Sequence, residues 1–136
     1  MRLLLDTNVT IDILTNRQPF CGDSIACYKK ALLNGDKIYV STVSVADIMY
    51  ITRSKFSNRA DQLQKVSNYI DTLRIAKINS KDLKFAFTGV MKDFEDALQA
   101  FCSKRYHIDY IITRNVKDFQ FSPVKAIEPV NFINLL

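Results

Sequence analysis

The sequence predicts an α/β fold, a three-layer α/β/α sandwich around a central parallel sheet of about five strands. Three observations carry that expectation. Short apolar runs without polar alternation recur along the chain, as strands covered on both faces require. Segments with apolar residues at three- and four-residue spacing lie between them. No internal repeat, low-complexity tract or linker interrupts the alternation.

Taken in order, the first strand is Arg2–Leu5, and Asp6-Thr7-Asn8 leads into a helix over Val9–Leu14. A second helix, Gly22–Leu33, stops at Asn34-Gly35-Asp36, a turn before the strand Lys37–Val40. Helical periodicity returns over Val43–Arg53 and Arg59–Leu73, most clearly at Leu63, Val66, Ile70 and Leu73. The strand Arg74–Ile78 follows, then helices over Ser80–Thr88 and Phe94–Tyr106. Strands at Asp109–Thr113 and Val124–Ile127 close the series. Strands alternating with helices imply right-handed crossovers, with helices on both faces of the sheet. At this length residues 1–136 are expected to form a single domain.

Composition narrows the chemistry. With 48% apolar and 24% charged residues the chain is an ordinary globular one, so disorder is not expected. Met1–Leu5 is too short for a signal-peptide core and no apolar run spans a bilayer, which predicts a cytoplasmic protein without a membrane partner. Cys21, Cys27 and Cys102 lack zinc-ligand spacing and read as buried free thiols. His107 is the only histidine, so a His-rich metal site is excluded and carboxylates remain. The net charge of +5 favours an anionic partner. Six cations against two acids between Thr52 and Lys77, an excess of +4, make Lys55, Arg59 and Lys65 a candidate nucleic-acid surface; a solvated helix face is the competing reading.

Ligands of an open parallel sheet bind beyond the carboxyl ends of its strands. Four features fall there: Asp6-Thr7-Asn8, Ser41 through Asp47, Asp93-Phe94-Glu95-Asp96, and Thr113-Arg114-Asn115 with Asp118. Each has a purely structural reading. Asp6, Asn8 and Asp93 suit helix caps, and Ser44-x-x-Asp47 has the form of a capping box. Glu95 and Asp96 suit first-turn acids, and Asp118 a turn residue. Together, however, four acidic clusters at one sheet edge would repel one another unless a cation sat between them. Asp93 and Asp96 share a helix face, so both can address one ion, while Phe94, Ala97 and Leu98 anchor that helix on the sheet. Oxygen-only ligation suits Mg²⁺ or Mn²⁺ rather than zinc.

These residues carry a resemblance. Leu4-Leu5-Asp6-Thr7-Asn8-Val9, Ser41 with Asp47, Asp93-Phe94-Glu95-Asp96-Ala97-Leu98-Gln99 and Asp109-Tyr110-Ile111-Ile112-Thr113-Arg114-Asn115 with Asp118-Phe119 resemble the PIN domain. That is the nuclease fold of toxin ribonucleases in bacterial and archaeal toxin–antitoxin pairs. Arg17-Gln18-Pro19-Phe20 is similar to a segment found in one branch of the family. The resemblance implies cleavage of single-stranded RNA with Mg²⁺ or Mn²⁺, a cognate antitoxin and a homodimer.

Position by position, Asp6, Asp96 and Asp118 match the acidic residues, with Asp93 as a further metal ligand. Asp47 stands where the family usually has Glu, and Asn115 where many members have Asp. Asn8 and Thr113 are secondary site residues, and Arg114 is a candidate phosphate contact. The expected reaction is phosphodiester hydrolysis assisted by one or two ions. A non-catalytic module of the same fold that binds RNA or protein is the alternative. A phospho-acceptor domain fits less well, because Thr113 is followed by arginine rather than lysine. A haloacid-dehalogenase-like phosphatase would need Asp where Asn8 stands.

Overall fold

The structure is a computed structural model and describes residues 1–135. Five parallel strands, β1 (Arg2–Leu5), β2 (Lys37–Ser41), β3 (Arg74–Ala76), β4 (Tyr110–Ile112) and β5 (Ala126–Ile127), pair in the order β3-β2-β1-β4-β5. Register places Leu3 beside Ile38 on one side and Tyr110 on the other. Among the described residues seven α-helices surround them: α1 (Thr7–Thr15), α2 (Cys21–Leu33), α3 (Thr42–Ile51), α4 (Arg59–Ile70), α5 (Ser80–Phe87), α6 (Phe94–Arg105) and α7 (Pro129–Ile133).

The uninterrupted apolar strands explain the layers, because consecutive side chains go to opposite faces and both faces are covered. Leu4, Tyr39, Ala76 and Ile111 pack against Ala86 of α5 and Ala97 and Ala100 of α6. Leu3, Leu5, Ile38 and Ile112 pack the other way, onto Val9, Cys27, Ala31 and Phe132 of α1, α2 and α7. Ile48 of α3 and Val66 of α4 extend this second layer, packing with Ile11 and Val40. Each fully buried leucine or isoleucine contributes roughly 2 kcal/mol. The expected α/β/α sandwich is therefore the observed one.

Element ends differ where side chains compete with the backbone. The first helix starts at Thr7 rather than Val9, because Asp6 is its N-cap. The fourth helix ends at Ile70, and Asp71–Leu73 turn instead, with the Thr72 hydroxyl donating to the Tyr69 carbonyl. β3 stops at Ala76 rather than Ile78. The Lys77 N–H donates to the Tyr106 hydroxyl, and the Ile78 N–H to Thr42 Oγ1, so neither continues the ladder. At the end of α2, Gly35 takes φ +73°, and the Asp36 N–H reaches back to the Ala31 carbonyl. Helix α7 carries no periodic signal; five residues are too few to show one.

The three cysteines are buried free thiols, as expected. Burial pushes the thiols of Cys27 and Cys102 up to about 12, so neither is a ready nucleophile. Among the described residues no helix is long and apolar enough to cross a membrane.

Candidate active site

Strands β2 and β3 lie to one side of β1, and β4 and β5 to the other. The topological switch point therefore lies between β1 and β4, where open parallel sheets bind ligands. Asp6 sits there, its N–H donating to the Ile112 carbonyl at 2.9 Å. Only 5% of the residue is exposed. Oδ1 accepts from the Thr7 N–H (2.8 Å) and from Gln99 Nε2 (2.7 Å). Oδ2 accepts from the Thr113 hydroxyl (2.8 Å) and Asn8 Nδ2 (3.3 Å). Four donors from α1, α6 and the end of β4 thus fix the direction of this carboxylate.

Asn8 and Thr113 join the same frame. Asn8 Oδ1 accepts from the Arg114 N–H, and Thr113 Oγ1 accepts from the Asn115 N–H. The Thr7 and Ser44 hydroxyls share a hydrogen bond of 2.7 Å, tying α1 to α3. The cap of α3 is Ser41, not Ser44: its Oγ accepts from the Ser44 N–H and donates to Gln99 Oε1.

Asp6, Asp47, Asp93, Glu95, Asp96 and Asp118 line one cavity of about 440 Å³, together with Asn115. All four acidic clusters expected at strand ends are thus brought together. Their crowding shows in their protonation. The Asp96 carboxyl is pushed up to about 7, first by burial and then by the charges of Asp6, Asp93 and Asp118. Glu95 is pushed up to about 8, first by a hydrogen bond shared with Asp47, then by burial and by its acidic neighbours.

Three of the structural readings hold alongside the functional one. Glu95 and Asp96 do lie in the first turn of α6. Asp6 caps α1, and Asp93 caps α6, its Oδ1 accepting the Asp96 N–H at 2.9 Å. Asp96 and Asp118, by contrast, accept no hydrogen bond among the described residues. With some carboxylates committed to caps, no three ligating side chains among the described residues are already drawn around one ion-sized point. The donor set itself is oxygen only, which fits Mg²⁺ or Mn²⁺.

Three contributors have no role of their own in the sequence: Glu95 reads as one member of an acidic cluster and as a first-turn acid, Gln99 only as part of a motif, and Asp12 not at all. Spacing offers a signal for two of them: Gln99 is three residues after Asp96, and Asp12 four after Asn8, each on the same helix face. Ala97 and Leu98 are buried as expected, but Phe94 is largely exposed and packs against Phe87. The basic stretch divides. Lys55 lines a groove that continues the acidic cavity through Ile11, Arg17 and Ile51. Lys65 lies farther along, paired with Asp61 at 3.2 Å. Arg59, exposed at the start of α4, lines neither groove.

Comparison with known proteins supports the fold. Curated proteins gave no match. The chain is similar to a chain of FitAB bound to an IR36 DNA fragment, at 19% identity and a TM-score of 0.74, covering 98% of this chain and 97% of that one. It is similar to a chain of VapBC2 from Rickettsia felis, solved bound to a fragment of its promoter, at 17% identity, a TM-score of 0.70 and coverage of 94% and 98%. It is also similar to Mycobacterium tuberculosis VapC20, described as a Sarcin-Ricin loop cleaving toxin, at 11% identity, a TM-score of 0.66 and coverage of 90% and 98%. At such identities the likeness speaks for the fold. A family model described as the PIN domain matches residues 2–117, from the first strand through the turn after β4, and on that match the chain belongs to the PIN-domain family.

Proposed function

We propose that this chain is a Mg²⁺- or Mn²⁺-dependent endoribonuclease that hydrolyses single-stranded RNA, the toxin of a toxin–antitoxin pair acting in the cytoplasm. The observation that carries the reading is the gathering of six carboxylates in one cavity at the sheet's switch point. Asp6, Asp96 and Asp118 would hold the ion, with Asp93 beside Asp96. A bound divalent ion lowers the pKa of its water and stabilises charge growing on phosphate oxygens. Asp47, one methylene shorter than the family's usual Glu, has Glu95 as a hydrogen-bonded neighbour, so a longer carboxylate stands at the same wall. The antitoxin reading draws support from neighbours solved as FitAB and VapBC2 assemblies.

The test is cleavage of an unstructured RNA. The purified protein should degrade it with Mn²⁺ or Mg²⁺ and stop on chelation. Asp118→Asn should cut the rate about 100-fold or more, a loss of the size seen when one preorganised electrostatic contact is removed. Asp118 is exposed, so this variant keeps the fold. A parent that stays inert with metal would overturn the nuclease reading in favour of a non-catalytic module.

The groove leading from the acidic cavity to Lys55 is the proposed path of the RNA backbone. Affinity should then fall with salt, and replacing Lys55, Arg59 and Lys65 together should flatten the log–log slope by roughly 0.7 for each phosphate no longer neutralised. Lys55 should account for most of the change. An unchanged slope would return all three to a solvated face.

A further inference from the structure

We propose that Arg17 and Arg114, both anchored on the buried carboxylate of Asp12, form a phosphate grip on the wall of the acidic cavity. The proposal rests on the nuclease reading and adds the residues that would hold the scissile phosphate. Asp12 lies on α1 with no exposure. Its Oδ2 accepts from Arg114 Nε (2.8 Å) and from the Ser24 hydroxyl (3.2 Å). Its Oδ1 accepts from Arg114 Nη2 (3.3 Å) and lies 3.0 Å from Arg17 Nε. One arginine is enough to neutralise a buried carboxylate. Two leave one positive charge in excess, and both arginines line the same cavity as the carboxylates.

The local chain explains the arrangement. Asn16 ends α1 in the left-handed region at φ 51°, and the Arg17 N–H turns back to the Asp12 carbonyl. The Phe20 and Cys21 N–H groups both donate to the Arg17 carbonyl, closing the Arg17-Gln18-Pro19-Phe20 turn. That turn carries Phe20 to Arg114, whose guanidinium carbon lies 3.8 Å from the ring centroid. Packing and pairing thus hold Arg114 with 23% of its side chain exposed. Arg17 keeps 41% exposed, and its guanidinium makes no hydrogen bond among the described residues.

A cavity lined by carboxylates repels a polyanion; a phosphate entering it needs a positive surface beside the acids. Guanidinium forks match phosphate oxygens in geometry and keep their charge at every relevant pH. Charge on the non-bridging oxygens grows toward the transition state, so a fixed guanidinium there accelerates the reaction more than it tightens binding. Arg17 and Arg114 are in this sense catalytic residues, and Asp12 is a positioning residue acting through them.

The experiment has two arms, cleavage of an unstructured RNA oligomer in Mn²⁺ and affinity for the same oligomer in chelator. Arg17→Ala leaves Asp12 paired with Arg114 and Ser24, so it folds. It should lower kcat about 10- to 100-fold with a smaller change in KM. Arg17→Lys should recover only part of the rate, and millimolar guanidinium ion should partly rescue Arg17→Ala. The losses of Arg17→Ala and Asp12→Asn should not multiply in the double variant, whereas a merely structural role for Asp12 would make them multiply. In chelator, Arg17→Ala should bind several-fold more weakly, with a salt slope lower by roughly 0.7. Parental kcat, affinity and slope in Arg17→Ala would overturn the grip and leave the nuclease reading intact. If the parent cleaves nothing with metal, the nuclease reading fails instead, and the chelator arm alone decides the grip.

Discussion

Replacing Asp96 by asparagine is expected to raise the thermal midpoint of the metal-free protein and to remove most of its response to Mn²⁺. Asp96 is half-buried, and its carboxyl is pushed up to about 7 by burial and by Asp6, Asp93 and Asp118. Unfolded, the same group titrates near 4. The folded protein therefore binds the proton more tightly than the unfolded chain does. Its contribution to stability is complete below about pH 4 and is lost as pH rises through about 7. Glu95, raised to about 8, extends the same trend. Metal-free protein should thus lose stability between pH 5 and pH 8, and Asp96→Asn should flatten that decline.

Screening at a partly exposed side chain limits the gain at pH 8 to roughly 1–2 kcal/mol, or about 3–8 °C. Excess Mn²⁺ should raise the parent's midpoint well above that of the variant, because the ion binds the folded state. Cleavage by the variant should fall at least about 100-fold. The measurement is thermal unfolding of both proteins in chelator and in Mn²⁺, at both pH values. A variant less stable in chelator, yet gaining as much from metal as the parent, would make Asp96 a first-turn acid and move the ion elsewhere.

Arg105→Met is expected to be the most destabilising of these substitutions, and through a pair that does not line the acidic cavity. Arg105, in the last turn of α6, donates from Nε (2.8 Å) and Nη2 (2.6 Å) to the two oxygens of Asp82. Asp82 is 1% exposed. It also completes the capping box of α5, its Oδ2 accepting the Asn79 N–H. Removing the arginine strands a buried carboxylate, which costs about 3 kcal/mol. Arg105→Lys should recover only part, since an ammonium cannot reproduce the two-pronged contact. The double change Arg105→Met with Asp82→Asn should be less damaging than Arg105→Met alone. Urea unfolding of the three variants measures this; equal losses in the single and double variants would show that the pair is worth little.

Local signals made the layers legible. Unalternating runs such as Leu3-Leu4-Leu5 are what strands buried on both faces require, and Val66 with Ile70 has helical spacing. The acidic residues were legible for a related reason: in a parallel sheet with helical crossovers, residues after the strands and in the first turns of the crossover helices share one edge. Sequence by itself therefore determined the α/β/α class and the set Asp6, Asp47, Asp93, Asp96 and Asp118 as neighbours.

Tertiary structure alone decided how those neighbours are used. Pairing of β1 with β4 puts the Thr113 hydroxyl on Asp6, 107 positions apart, and α6 packing brings Gln99 to the same carboxylate. It also buried Asp12 between two arginines and made Glu95 share a hydrogen bond with Asp47. Spacing along the chain reports only which residues share a face of one element. Which oxygen accepts which donor depends on how separate elements approach, and that is set by the summed burial of Leu4, Ile111, Ala97 and their neighbours, in which no single residue carries a readable sign.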